Sequence, residues 1–251
     1  MSFINTNELC TGCNKCIRNC PIFPSNSAVE NNKVNVVLDA CIDCGECIDV
    51  CTHNAREYTD DTKEFFDAVK NGQKITVVIA PAFIANYPTQ YKRILGYLKE
   101  LGVSHIYSVS FGADICTWGY LKYFEKTGKK GMISSPCPAV VDYIEKYRKE
   151  LIEYMMPVYS PVMCMAKYLK KYEHITEKIA FLSPCIAKKS EINDKNCEQL
   201  ISYNVTFNNF MDYIGDAYKT AREYNDELAY GLGSMVSYAW RLKGKCKMVP
   251  R

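Results

Sequence analysis

Eight of the chain's 14 cysteines lie within the first 51 residues, in two runs of identical spacing. Each run has the pattern C-x2-C-x2-C-x3-C, and the two runs begin 31 residues apart. Two-residue gaps let three thiolates project from one turn of backbone toward a cube-like iron–sulfur cluster, and the fourth ligand must come from elsewhere. The runs therefore predict two 4Fe-4S clusters, with ligands drawn from Cys10, Cys13, Cys16, Cys20, Cys41, Cys44, Cys47 and Cys51.

The two runs resemble those of two-cluster ferredoxins, in which the fourth cysteine of each run binds the other cluster. This pattern assigns one cluster to Cys10, Cys13, Cys16 and Cys51, and the second to Cys41, Cys44, Cys47 and Cys20. Pro21 follows the first run as the motif expects, whereas Thr52 takes that place in the second. A zinc protein is the main alternative, because two CxxC pairs can also form a tetrahedral four-thiolate site.

The composition is that of a folded protein, with 251 residues of which 48% are hydrophobic and 24% charged. No run of about 18 apolar residues occurs, and the N-terminus lacks a signal-peptide pattern, so we expect no membrane association and a cytoplasmic location. Thiols stay reduced there, which disfavours a disulfide framework. The formal charge is +3, and two clusters of about −2 each would bring it to about −1. Net charge therefore gives no reason to expect a nucleic-acid partner.

The pattern of the chain changes after an α+β ferredoxin-like domain that we place at residues 1–58. Strand-like and helix-like segments then alternate over residues 59–237, which predicts an α/β domain with a mostly parallel sheet. The predicted strands are Ile75–Ala80, His105–Ser110, Gly131–Ser134, Lys178–Ser183 and Tyr203–Phe207. The predicted helices are Glu64–Lys70, Tyr91–Leu101, Ala113–Lys126, Val140–Leu151, Pro161–Tyr172 and Asn209–Tyr218.

Two further cysteines, Cys137 and Cys185, each follow a proline just after a predicted strand. Open α/β sheets bind ligands at the carboxyl ends of their strands, so these two Pro-Cys corners could converge on one site. The order of the segments and their motifs resemble the iron-only (FeFe) hydrogenase large subunit and its relatives over about residues 5–237. The supporting phrases are Ala80-Pro-Ala82, Phe111-Gly-Ala-Asp114 with Trp118, Pro136-Cys-Pro-Ala139 and Ser183-Pro-Cys-Ile-Ala-Lys188-Lys-Ser-Glu191.

This resemblance implies roles for four residues. Cys137 and Cys185 would supply two of the four ligands of the cubane in the active-site cluster. Lys188 would lie near the cyanide ligands of the attached diiron unit, and Glu191 would brace the site. The alternatives are a pair of buried thiols, since free cysteine is commonly buried, and an ordinary surface ion pair between the lysine and the glutamate.

Three departures from the family pattern bear on activity. Catalytic members have a proton-relaying cysteine directly before Cys137, where this chain has Pro136, and they have methionine where this chain has Ser183. The last signature, a C-x3-C pair, is absent, so a third cubane or a diiron H-cluster would lack two ligands. The resemblance is therefore to the divergent, sensory-type branch, and we name no catalytic residue.

The last segment, residues 238–251, is basic and has no apolar period. A shifted reading frame is one hypothesis for it, and a natural basic tail is the alternative. The three histidines, His53, His105 and His174, are scattered and are interpreted as surface or packing residues.

The sequence as a whole predicts an iron–sulfur electron-transfer protein that exchanges electrons with a redox partner protein; it does not specify the oligomeric state. Two alternatives stay open, which are a hydrogenase that reversibly reduces protons to H2 and a redox- or hydrogen-sensing protein.

Overall fold

The N-terminal part of the chain folds around its two cysteine runs, each of which leads into a short helix. The computed structural model describes residues 3–23, 25–28, 33–226 and 228. The elements of this part are β1 (Ile4–Thr6), α1 (Lys15–Asn19), β2 (Asn26–Ala28), β3 (Val34–Val36), α2 (Glu46–Asp49) and β4 (Arg56–Tyr58). They form the α+β ferredoxin-like unit that the cysteine runs predict.

The two halves of this unit are interleaved. β1 pairs antiparallel with β4, with Ile4 opposite Tyr58, and β2 pairs antiparallel with β3, with Asn26 opposite Val36. Each pair therefore joins one strand from each half, and α1 packs against α2. Because the halves are interleaved, the end of one cysteine run is carried toward the start of the other.

The rest of the described chain is an α/β domain in which helices surround a parallel sheet. Its first elements are α3 (Thr62–Lys70), β5 (Ile75–Ile79), α4 (Ala82–Asn86), α5 (Tyr91–Glu100), β6 (His105–Ser108), α6 (Ser110–Thr127) and α7 (Pro138–Tyr147). A 3₁₀ helix (Lys149–Tyr154), α8 (Pro161–Tyr172), β7 (Lys178–Ser183), α9 (Lys188–Asn193), a 3₁₀ turn (Lys195–Cys197), β8 (Tyr203–Thr206), α10 (Phe207–Ile214) and a 3₁₀ turn (Ala217–Thr220) follow. Within the described ranges, no helix is long and apolar enough to cross a bilayer.

The sheet has the strand order β6-β5-β7-β8, and every pair is parallel. All five residues of β5 are buried, as expected for a central strand covered on both faces. The core beside it is rich in aromatic side chains, among them Phe65, Phe66, Phe83 and Phe210. The mostly parallel α/β domain predicted from the alternating pattern is therefore confirmed.

One predicted strand is not part of this sheet. In the segment Gly131–Ser134, Ile133 forms an isolated parallel bridge with Met155. The segment lacks a continuous β-branched run, and Pro136 soon follows with no N–H to continue a ladder. Cys137 therefore follows a loop, whereas Cys185 does follow strand β7, as predicted.

Two helices end earlier than predicted. The prediction over Val140–Leu151 covers α7, which ends at Tyr147, and the start of the 3₁₀ helix that follows it. The prediction over Asn209–Tyr218 covers α10, which ends where Gly215 adopts a φ of 51°. A positive φ suits glycine, and it stops the helix although the apolar period continues.

The two aspartates that connect the two parts, Asp60 and Asp61, are hydrogen-bonded to strand β8 of the sheet. An Asp60 carboxylate oxygen accepts a 2.8 Å hydrogen bond from the Thr206 N–H, and an Asp61 oxygen accepts one of 2.9 Å from the Asn204 N–H.

The division of the chain into two domains between residues 58 and 59 stays a prediction. The domain end at residue 237 and the basic segment 238–251, with the frame-shift hypothesis, lie outside the described residues.

Candidate metal centres

The thiols of one predicted ligand set line a single small cavity. Three of them come from the first cysteine run and one, Cys51, from the end of the second run. The residues lining this first cavity are Cys10, Thr11, Cys13, Asn14, Lys15, Cys16, Val34, Cys51, His53, Ala55 and Arg56. In a cubane each thiolate binds a different iron, so four thiols spread around a cavity fit such a group. The structure thus brings Cys51 to the first run, while its role as a ligand stays a prediction.

The two cysteine runs have the same backbone shape. Gly12 and Asp43, which are 31 positions apart, have φ values of 69° and 52°, and Asn14 and Gly45 have φ values of 59° and 88°. Residues of alternating hand turn successive N–H groups to one side, which is the geometry of an anion-binding nest. Both loops are therefore suited to hold a negatively charged group between their cysteines.

The second predicted ligand set is also brought together. Desolvation raises the pKa of the Cys44 thiol, and the nearby thiols of Cys20 and Cys41 raise it further. Burial raises the pKa of the Cys47 thiol to about 11, with Cys41 and Cys44 among its neighbours. Cys20, from the end of the first run, thus lies beside the second run. A thiol must lose its proton to bind iron, so loading this site would release protons.

Backbone N–H groups reach the sulfur of Cys51. Ala55 N–H donates to Cys51 Sγ at 3.3 Å. Desolvation alone would raise the pKa of this thiol, but hydrogen bonds from the backbone at Ala55, His53 and Arg56 lower it below its usual value. Hydrogen bonds to sulfur are one of the factors that set the potential of an iron–sulfur cluster.

His53 also lines the first cavity, although no sequence motif singles it out. Its Nδ1 lies 3.9 Å from Cys13 Sγ, and its Nε2 lies 3.4 Å from the Thr11 hydroxyl. The side chain is exposed, as predicted. Its position two residues after Cys51 is the one sequence signal that could have pointed to this place.

Cys137 and Cys185 lie near each other at the other candidate site. Cys137 is exposed and precedes the first residue of α7, whereas Cys185 is half-buried after β7. Burial raises the pKa of the Cys185 thiol, backbone N–H groups and the Lys188 charge oppose that effect, and the nearby Cys137 adds to it. Asn204 donates a side-chain hydrogen bond of 3.2 Å to the Cys185 carbonyl oxygen. The two Pro-Cys corners therefore converge, even though one follows a loop.

The lysine and glutamate of the same motif form a buried ion pair on α9. Lys188 Nζ lies 2.5 Å from Glu191 Oε2, and the side chains are 11% and 8% exposed. Lys188 Nζ also donates to the Pro136 carbonyl oxygen at 2.9 Å. An ordinary surface ion pair is therefore not the correct description. The pair fixes the loop before Cys137 to the helix after Cys185.

A third cysteine near this site was not predicted. Cys116 on α6 and Cys164 on α8 are buried where these two helices pack together. A hydrogen bond with Cys164 lowers the pKa of the Cys116 thiol, and the charges of Lys188 and Glu191 also act on it. No sequence motif singles out Cys116, because helix–helix packing decides which side chains meet. Cys197 is buried as well, and Cys246 lies outside the described residues.

The second thiol set lies beside the Cys137 and Cys185 site. Cys20 and Cys185 both pack against one apolar group made by Ile22, Ile42, Ala139 and Ala187. Helix α7 is also bound to the second run: Lys146 Nζ donates to the Cys41 carbonyl oxygen, and the Tyr147 hydroxyl donates to the Ala40 carbonyl oxygen, both at 2.6 Å. The ferredoxin-like part and the α/β domain are thus joined where the second thiol set and the Cys137 and Cys185 site lie side by side.

Comparison with protein families decides what this arrangement represents. Residues 73–239 match the family described as "Iron only hydrogenase large subunit, C-terminal domain". The chain belongs to this hydrogenase family. Residues 2–52 match a "4Fe-4S dicluster domain". The protein is therefore an iron–sulfur protein with a hydrogenase-like domain.

Relatives of this hydrogenase-like chain have several different names. It is 23% identical to the cytosolic Fe-S cluster assembly factor NAR1 of Kluyveromyces lactis, over 79% of this chain and 45% of that protein. It is 21% identical to the nuclear prelamin A recognition factor of Xenopus laevis, over 63% of this chain and 42% of that protein. It is 24% identical to the NADP-reducing hydrogenase subunit HndD of Solidesulfovibrio fructosivorans, over 63% of this chain and 32% of that protein. The chain spans less than half the length of these relatives.

Solved hydrogenase structures share the fold. A [FeFe]-hydrogenase studied for oxygen inactivation of its H cluster matches with a TM-score of 0.55 and 19% identity, over 77% of this chain and 60% of that one. The hydrogenase HydA(ΔEFG) matches with a TM-score of 0.55 and 21% identity, over 67% of this chain and 51% of that one. These matches confirm the predicted fold.

Proposed function

We propose that this protein transfers electrons through two 4Fe-4S clusters held by its N-terminal part. The observation that carries the proposal is the first cavity, where Cys51 joins Cys10, Cys13 and Cys16 from the other run. The match to a 4Fe-4S dicluster domain supports it. Each cluster, when bound, would accept and release one electron. The role of the polypeptide is to hold the thiolates and to direct backbone N–H groups at them.

The proposed direction of transfer is through the second thiol set to the hydrogenase-like domain. Cys20 and Cys185 pack against the same apolar group, which supports this order. The proposed external partner is a redox protein that donates or accepts electrons. A cytosolic location is part of the proposal, and the printed name of the Kluyveromyces lactis relative supports it.

We further propose that the hydrogenase-like domain of this chain does not catalyse hydrogen turnover. Pro136 stands where the resemblance places a proton-relaying cysteine, and its carbonyl oxygen is bound by Lys188 at 2.9 Å. Proline has no exchangeable proton to deliver. A third cluster at Cys137 and Cys185 is likewise not part of the proposal.

Iron and acid-labile sulfide, measured after anaerobic reconstitution, test the cluster proposal. We expect about eight irons and eight sulfides per chain, which is two cubanes. Colourless protein carrying zinc would contradict it, and about twelve irons would indicate a third cubane. A hydrogen-evolution assay with reduced viologen, run with and without the cofactor-maturation proteins, tests the second part. Any hydrogen above the protein-free control would overturn the non-catalytic proposal.

A role in iron–sulfur cluster assembly is the second candidate. The alignment with the relative named as an assembly factor covers 79% of this chain, compared with 63% for the hydrogenase subunit. A transfer assay separates the two functions. Reconstituted protein is mixed with an iron-free ferredoxin under argon, and the iron content of each protein is measured after separation. Retention of all iron favours electron transfer, whereas rapid transfer to the ferredoxin favours assembly.

A further inference from the structure

Arg56 is a buried cation in the ferredoxin-like part of the chain. It lies on β4 and is only 5% exposed. Its Nη1 donates to the Thr6 hydroxyl and, at 3.2 Å, to the Val34 carbonyl oxygen, and its Nη2 donates to the Asn26 side-chain oxygen. These acceptors belong to β1, β3 and β2. One guanidinium group therefore connects all four strands.

The charge of this guanidinium is not balanced by a neighbouring carboxylate. All three acceptors are neutral oxygens, and across the described residues Arg56 takes part in no ion pair. Its Nε is buried and has no hydrogen-bond partner within that same part of the chain. Burying an unpaired charge is costly, so arginine is almost never fully buried without a compensating group.

The groups that face Arg56 are the predicted cluster ligands. It lines the first cavity together with Cys10, Cys13, Cys16 and Cys51. Its side chain also neighbours the Cys47 thiol. Cys47 belongs to the second thiol set. The guanidinium thus lies close to both sets.

Building on the two clusters of the proposed function, we propose that Arg56 is their counter-cation and raises their reduction potentials. An oxidised cubane with four thiolates carries about −2, and each electron taken from dithionite or a redox partner adds one negative charge. A fixed positive charge away from water stabilises the more negative, reduced form. Arg56 is therefore a positioning residue that sets the potential and binds no substrate.

Potentiometric titration of the reconstituted full chain, followed by EPR under argon, tests this role. The variants are Arg56→Gln, which removes the charge, and Arg56→Lys, which keeps it. The matched control is Arg18→Gln, which removes an exposed guanidinium in the same domain. For Arg56→Gln we expect the ratio of reduced to oxidised cluster at fixed potential to fall about tenfold, a shift of about 59 mV for one electron. Arg56→Lys and Arg18→Gln should change it less than about threefold.

The iron content of every variant is measured in parallel. Variant protein with about eight irons and unshifted potentials would overturn the proposal and leave Arg56 as a structural connector only. If Arg56→Gln does not retain its clusters, the same potentiometric titration is made on Asn26→Asp. This variant places a carboxylate beside the guanidinium and keeps the hydrogen bond. A fall in the reduced fraction supports the proposal, and an unchanged potential contradicts it. Wild-type protein without iron would instead contradict the proposed function itself.

Discussion

Lys146 donates a 2.6 Å hydrogen bond from Nζ to the carbonyl oxygen of Cys41. This contact joins helix α7, which begins directly after Cys137, to the start of the second cysteine run. The next residue, Tyr147, makes a second bond of the same length to Ala40. The second cysteine run and Cys137 thus lie at the two ends of one helix.

Replacing Tyr147 with Phe removes the hydroxyl that binds Ala40 and keeps the ring. We expect the free energy of unfolding to fall by about 1 kcal/mol, the typical net contribution of one hydrogen bond. Urea denaturation of the reconstituted protein under argon measures it. The control is Lys149→Ala on the exposed 3₁₀ helix that follows. Equal stability of the Tyr147→Phe protein and the wild type would show that this contact does not hold the two parts together.

Replacing Cys51 with Ser should remove the cluster of the first run and leave the second. The reason is that Cys51 lines the cavity of Cys10, Cys13 and Cys16. We expect about four irons per chain instead of about eight, measured together with low-temperature EPR. Cys20→Ser is the matched variant and should remove the other cluster. Two variants with identical EPR spectra, or full iron content in either, would contradict the exchange of fourth ligands.

Replacing Lys188 with Met leaves the Glu191 carboxylate buried without its partner. Breaking a buried ion pair from one side costs about 3–5 kcal/mol, so we expect a large fall in the free energy of unfolding. The double variant Lys188→Met with Glu191→Gln should recover most of it, since no unpaired charge remains.

The exposed pair of Lys122 and Glu125 on α6 has the same i,i+3 spacing and serves as the control. Lys122→Met should cost less than about 1 kcal/mol. If Lys188→Met has an equally small effect, the Lys188 pair is not an electrostatic anchor of the site.

Asp142 predicts a dependence of stability on pH. Burial raises the pKa of its carboxyl in the folded chain, although the Ser190 hydroxyl donates to it at 3.0 Å. The unfolded chain therefore loses this proton at lower pH than the folded chain. The stabilising contribution of the protonated group is complete below the unfolded pKa of about 3.9 and is lost as pH rises through the folded value.

Replacing Asp142 with Asn removes this titration while keeping an oxygen for Ser190. The variant should gain stability relative to wild type as pH rises from about 4 to about 7, by less than about 1 kcal/mol since the group is partly solvated. Urea denaturation at both pH values measures the difference. Asp67→Asn, on the exposed face of α3, is the control. A gain that does not grow with pH would show that burial does not shift this group.

Much of the α/β domain could be predicted because its signals are local. The continuous β-branched run of β5 and the apolar period of α8 specify a strand and a helix without reference to the rest of the chain. Segment 131–134 is not a strand, because a strand needs a neighbour that pairs with several of its residues, and here only Ile133 forms a bridge, with Met155. The short strands β1, β2 and β4 were not predicted for the same reason.

The sequence by itself determined the family, the iron–sulfur character and the parallel sheet, because ligand spacing and hydrophobic period are properties of neighbouring residues. Only the tertiary structure decided that Lys188 and Glu191 are buried together, and that the buried Arg56 lines the cavity of the first thiol set. Burial and charge compensation depend on which distant segments meet. No window of sequence contains that information.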